Sequence, residues 1–146
     1  MRRALAVCLA VAATAGCGGS GRPAPTAAEE RALAVRFARA VVRGEPARAA
    51  ALVDAGDATT QELARRLAAA SRGHSGTLRL PASRTAPHRW QVAYVRRIPG
   101  ADGAFERETG RIVVELAGGA VADVAIRDRE LVLSTHHDAQ LLPSKR

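Results

Sequence analysis

The residue types able to do chemistry are few and scattered. Four histidines stand at 74, 88, 136 and 137. His136-His137-Asp138 looks like a metal motif at first sight. Adjacent strand residues point to opposite faces, however, so the two imidazoles cannot easily share an ion. Further ligands would have to come from His74 or His88, both in loops, and we expect no metal site and no cofactor. Ser71, Ser75, Ser83 and Ser134 lack the G-x-S-x-G setting of an activated serine. No glycine-rich phosphate loop of the GxxxxGK[ST] or GxGxxG type is present. Acid/base chemistry needs pocket carboxylates with shifted pKa values. Asp54, Asp57 and Asp123 qualify by type alone: the first two read as turn and cap residues, and Asp123 falls on an outward strand parity. Tyr94 could present a hydroxyl to a pocket, although its apolar body suits a core. No catalytic residue is assigned.

Chemistry of another kind attaches to the two cysteines, Cys8 and Cys17. Arg2 and Arg3 precede an uncharged run from Ala4 to Gly16, too short to span a bilayer, which takes about 20 apolar residues. It has the form of a secretory signal. The run ends in Thr14-Ala15-Gly16-Cys17, followed by Gly18-Gly19-Ser20-Gly21. This resembles the lipobox of bacterial lipoproteins, with Thr14 where that family usually has Leu. The resemblance implies cleavage before Cys17 and a diacylglycerol on its thiol. It also implies a protein attached to the bilayer at the extracytoplasmic face of the cell membrane. The alternative is ordinary secretion, with cleavage after Ala15 of Ala13-Thr14-Ala15 and a free thiol at Cys17. On either reading the mature domain holds no disulfide and no thiolate zinc site.

The chain has 146 residues, enough for one ordinary domain, with a formal net charge of +8. Of its 22 basic residues, 21 are Arg; Asn is absent and Ile occurs only at 98, 112 and 126. That bias matches GC-rich coding, so selection for phosphate is not needed to explain it. Aromatics are 3% of the chain and no basic run exceeds two residues before the tail, which argues against nucleic acid as a partner. Loss of Arg2 and Arg3 with the signal takes +8 to +6. Residues 18–25 form a tether spanning about 16 Å as a flexible coil. A basic domain held so close should rest against anionic headgroups; alternatively, the arginines are simply solvated surface.

Three helices and then a sheet must carry whatever is attached. Thr26-Ala27-Ala28-Glu29 is a capping box, and a helix follows to about Arg43, stopped by Gly44. Leu33, Phe37 and Val41 form its buried stripe. Pro46 starts a short helix over 46–53 that buries Leu52 and Val53. A third helix spans 59–72, with Leu63, Leu67 and Ala70 inward. From Gly76 the period becomes two. Strands are predicted at 77–80, stopped by Pro81; at 89–98, with Trp90, Val92 and Tyr94 on one face; and at 104–117, with Ile112, Val114 and Leu116 inward. The opposite parity of Phe105 predicts a bulge near Gly110. Residues 99–103 form a turn cluster. Gly118-Gly119 marks a hairpin into 120–127, with Ala122, Val124 and Ile126 inward, and 131–135 adds a last short strand.

The predicted fold class is therefore α+β: N-terminal helices packed on a curved antiparallel sheet of about four to five strands. The organisation is a signal over 1–16, lipidated Cys17 and tether over 17–25, one domain over 26–137 and a tail over 138–146. The element order is similar to the nuclear-transport-factor-2-like, or cystatin-like cone, fold. The resemblance implies a cone whose wide end can hold an apolar pocket, here lined by Phe37, Trp90, Tyr94 and Ile112. Two functions stay open: a non-catalytic module that binds or assists another envelope protein, and an isomerase- or dehydratase-like enzyme using that cone.

Overall fold

A computed structural model describes residues 23–100 and 105–133. Cys8, Cys17, the tether to residue 22 and the stretch from Ser134 onward, with His136, His137 and Asp138, lie outside the described residues. So does most of the 99–103 turn cluster.

The first helix is Ala27–Val42 (α1), and both arms of its capping box are made: Thr26 Oγ1 accepts from the Glu29 amide, and the Glu29 carboxylate accepts from the Thr26 amide at 2.8 Å. Leu33, Phe37 and Val41 are buried as their spacing predicts. Phe37 and Ile112 are fully buried, each contributing roughly 1.5–3 kcal/mol.

Pro46–Ala50 (α2) is shorter than expected. The chain leaves helix so that Val53 can make a parallel bridge to Val121, with Val121 donating to the Leu52 carbonyl and Asp54 to the Val121 carbonyl. Val53 is buried and Leu52 half-buried.

Ala58–Ala69 (α3) begins at the Asp57 cap, which accepts from the Thr60 amide and hydroxyl. Its inward face differs from the expected one. Thr60, Ala64 and Ala68 are buried, Leu67 is half-buried, and Leu63 and Ala70 are exposed. Alanines four apart form a low ridge that lets the helix approach its neighbours closely. A Leu ridge would hold it away.

The strands Ser75–Ala86 (β1), Arg89–Pro99 (β2), Phe105–Ala117 (β3) and Ala120–Leu133 (β4) form one antiparallel meander in the order β1-β2-β3-β4. The α+β class is therefore realised with four strands. β1 does not stop at Pro81. Its register jumps from Arg79↔Ala93 to Ser83↔Gln91, so extra residues bulge around Pro81, with Ala82 buried and Leu80 exposed. An edge strand tolerates proline, whose missing N–H would otherwise break a ladder.

The irregularity predicted near Gly110 exists, but its extra residue is on the partner strand. Thr109 pairs with Glu130 and Arg111 with Arg127, which places Asp128 and Arg129 opposite Gly110, with Asp128 at φ 50°. The β2–β3 register runs unbroken, so Phe105 keeps its outward parity. A second β4 bulge, at Ala122, lets both Val121 and Val124 face the core. The Gly118-Gly119 hairpin is formed, with positive φ at both glycines. Residues 131–133 continue β4 and are not a separate strand.

Candidate functional site

One face of the sheet is covered by the helices, and among the described residues nothing covers the other, here called the open face. The covered face holds Trp90, Val92, Tyr94, Ile112, Val114 and Leu116 against Phe37 and Val41. Phe37, Trp90, Tyr94 and Ile112 are thus brought together, as members of the packed core. Two surface cavities, described below, lie against other residues.

Two carboxylates are buried beneath this face, one at each end. Glu30, on the α1 stripe one turn before Leu33, is 3% exposed. His88 Nδ1 donates to its Oε1 at 2.5 Å, Trp90 Nε1 donates to its Oε2 at 3.3 Å, and Arg84 stands 4.0 Å away. The His88 bond, joined by Trp90 and the nearby cations, outweighs burial and holds the Glu30 carboxyl below the usual carboxylate range. The His88 side chain is 60% exposed, at positive φ in the two-residue link from β1 to β2. An imidazole oriented this way through Nδ1 has the arrangement of a base held by a carboxylate.

At the far end Glu108 is 0% exposed. Tyr94 Oη donates to its Oε1 at 2.6 Å; Arg96 Nη2 donates to Oε2 at 3.1 Å, with Arg96 Nε 2.9 Å from Oε1; Arg129 Nε donates to Oε2 at 2.8 Å. Arg96 Nη1 also donates to Ser71 Oγ at 2.6 Å. Burial pushes the Glu108 carboxyl up, but its bonds from Tyr94, Arg96 and Arg129 hold it below the ordinary value. Burial, followed by the Glu108 bond, pushes the Tyr94 hydroxyl up to about 12. The tyrosine is a locked donor and supplies no proton at neutral pH.

Sequence reasoning missed both carboxylates, although each carried a legible sign. Glu30 extends the Leu33-Phe37-Val41 stripe by one turn. Arg96 and Glu108 extend the inward parities of Trp90-Val92-Tyr94 and Ile112-Val114-Leu116. Asp54 and Asp57 are found in the turn and cap roles read for them: Asp54 Oδ1 accepts from the Gly56 amide, and Asp57 caps α3. Asp123 is exposed on the open face. Among the described residues no three His, Cys, Asp or Glu side chains gather to hold a metal ion.

No protein-family model and no curated protein matches the chain.

The open face carries the surface chemistry, arranged in rows by the strand register. One row is Ser75, Arg97 and Arg107; the next is Thr77, Val95, Thr109 and Glu130; a third is Arg79, Ala93, Arg111 and Arg127. At the opposite end stand Arg89, Glu115 and Asp123. Arg89 Nη2 lies 2.7 Å from Glu115, and Arg111 Nη1 lies 2.9 Å from Asp128. A cavity of about 500 Å³ opens among Ser75, Thr77, Val95, Arg97, Phe105 and Arg107. A smaller one of about 280 Å³ lies at the end with Arg89, Glu115 and Asp123. Arg97 stacks on the Phe105 ring at 4.3 Å.

Proposed function

We propose that the protein is a lipid-anchored module of the cell envelope, held at the extracytoplasmic face by acylated Cys17, that works by binding and not by catalysis. The observation that carries the binding reading is the contrast between the two sheet faces. The covered face is filled by Phe37, Trp90, Tyr94 and Ile112, each no more than 6% exposed. The open face is broad, polar and rich in arginine. Its functional contacts are therefore surface contacts. The anchor is supported by Thr14-Ala15-Gly16-Cys17 and by the short step from there to the capped start of α1. A diacylglyceryl group on that thiol, with a basic surface beside it, is a two-signal attachment.

Mass spectrometry of the N-terminal peptide from the native membrane tests this reading. The expected peptide begins at Cys17 and carries a diacylglyceryl thioether. A peptide that begins at Gly16 with a free thiol would show the secreted form instead and overturn the anchor.

A further inference from the structure

We propose that the basic part of the open sheet face is the surface on which the protein lies against an anionic bilayer, with Arg97 and Arg107 sharing one lipid phosphate between them. This rests on the lipid-anchored reading and names the partner of its open face.

The charge on that face is polarised. The row with Arg89 holds two acids to one base, whereas the three rows from Arg79 to Arg107 hold five arginines against Glu130 and the bulge residue Asp128. Arg97 and Arg107 are direct cross-strand partners, and among the described residues neither has a carboxylate within ion-pair distance. Like charges placed opposite each other destabilise a sheet. An anion between the two guanidinium groups removes that cost, and guanidinium geometry matches phosphate oxygens two at a time. Ser75 lies beside Arg97 in the same row, and Thr77 in the next, so hydroxyl donors edge the same cavity. Glu106, which also borders it, has the opposite parity and belongs to the other face.

Breadth points to a bilayer over a single small anion. The arginines extend across four strands in two rows, on either side of a row with none, far beyond one phosphate, and Phe105 stands 51% exposed at the rim. An apolar ring can enter the headgroup layer while the Arg97 guanidinium stacked on it meets phosphate. The reach is also sufficient. Nine residues from Cys17 to Thr26 extend to about 30 Å, while a helix layer plus a sheet is about 20 Å deep. The open face can thus turn to the membrane although α1 begins on the other side.

The test is co-sedimentation of the mature chain, from residue 17 onward and carrying Cys17→Ser, with vesicles of phosphatidylcholine, with or without phosphatidylglycerol. Binding to neutral vesicles sets the baseline. The expected result is stronger binding to the anionic vesicles, weakened by salt and reduced at least about tenfold by Arg97→Glu/Arg107→Glu. Arg36→Glu/Arg39→Glu on α1 makes the same charge change on the helix side and should leave most of the binding. Equal loss from both pairs would mean attraction by net charge alone and overturn the proposal, as would equal binding to both vesicles. Displacement by inorganic phosphate at concentrations that leave ionic strength unchanged would assign the site to a soluble anion instead, again overturning it. If the peptide mass shows acylated Cys17 but vesicle binding fails, the face is wrong and the anchor stands.

Discussion

The Tyr94 hydroxyl reaches Glu108 Oε1 at 2.6 Å across the β2–β3 pair because its ring lies over Gly110. A Cβ on residue 110 would stand 2.8 Å from the Tyr94 oxygen and 2.9 Å from two of its ring carbons. Gly110→Ala must therefore push a buried ring aside and break its hydrogen bond. We expect a loss of about 1–3 kcal/mol in urea unfolding. In the Tyr94→Phe background the cost of Gly110→Ala should fall, since the bond is already gone; an additive double mutant would contradict the linkage.

Glu108 neutralises a buried guanidinium. Glu108→Gln keeps the volume but leaves Arg96, 5% exposed, without a compensating charge. The expected loss is about 3–5 kcal/mol. Replacing both by apolar residues, as in Glu108→Leu/Arg96→Met, should cost much less than the single change. Arg129, with 57% of its side chain exposed, should cost only about 1 kcal/mol or less when cut to Ala. Denaturant titration of the four proteins checks the order.

Acid should unfold the domain through its two buried carboxylates. Both have folded-state pKa values held below the ordinary range. Such groups stabilise the fold above their unfolded pKa, about 4.3 for Glu. That stability is lost as pH falls through the depressed folded value. Trp90, bonded to Glu30, is the single tryptophan and reports the transition by fluorescence. His88→Ala removes the principal bond to Glu30. It should lower stability at pH 7 by about 1–2 kcal/mol and flatten the acid limb of the stability curve. An unchanged slope would show that Glu30 does not carry it.

The rotated face of α3 gives a contrast between neighbours. Ala64→Leu puts a large side chain into a fully buried position and should cost about 1–3 kcal/mol or more. Leu63→Ala, at an exposed site, should stay below about 1 kcal/mol. Thermal unfolding of the pair separates this packing from one with Leu63 inward.

Periodicity made most of the scaffold legible. The capping box, the Leu33-Phe37-Val41 stripe, the inward set of β2 and β3 and the Gly118-Gly119 turn are all local signals, and all are formed. What failed needed tertiary knowledge. In α3 bulk pointed to Leu63, whereas close approach chose Ala64 and Ala68. At Pro81 a general breaker predicts a stop, because the sequence does not say that β1 is an edge. In β4 the Ala122 bulge reverses parity, which alternation alone cannot foresee. The buried carboxylates were visible as charges on apolar stripes, but their partners come from residues 58 and 21 positions away: His88 for Glu30, and Arg129 for Glu108.

Both margins of the meander are interrupted. β1 loses a donor at Pro81 and slips register beside it. β4 is met at its start by residues 52–54 and breaks again at Asp128, within the charged run Arg127-Asp128-Arg129-Glu130. An uninterrupted strand margin would be a template for a second copy of itself. Under the proposed anchoring, copies share a two-dimensional sheet of lipid and meet far more often than in free solution. Interrupted margins would let such a population stay dispersed at that lateral density, so under that proposal the irregularities that obscure the strands in the sequence would suit life on a surface.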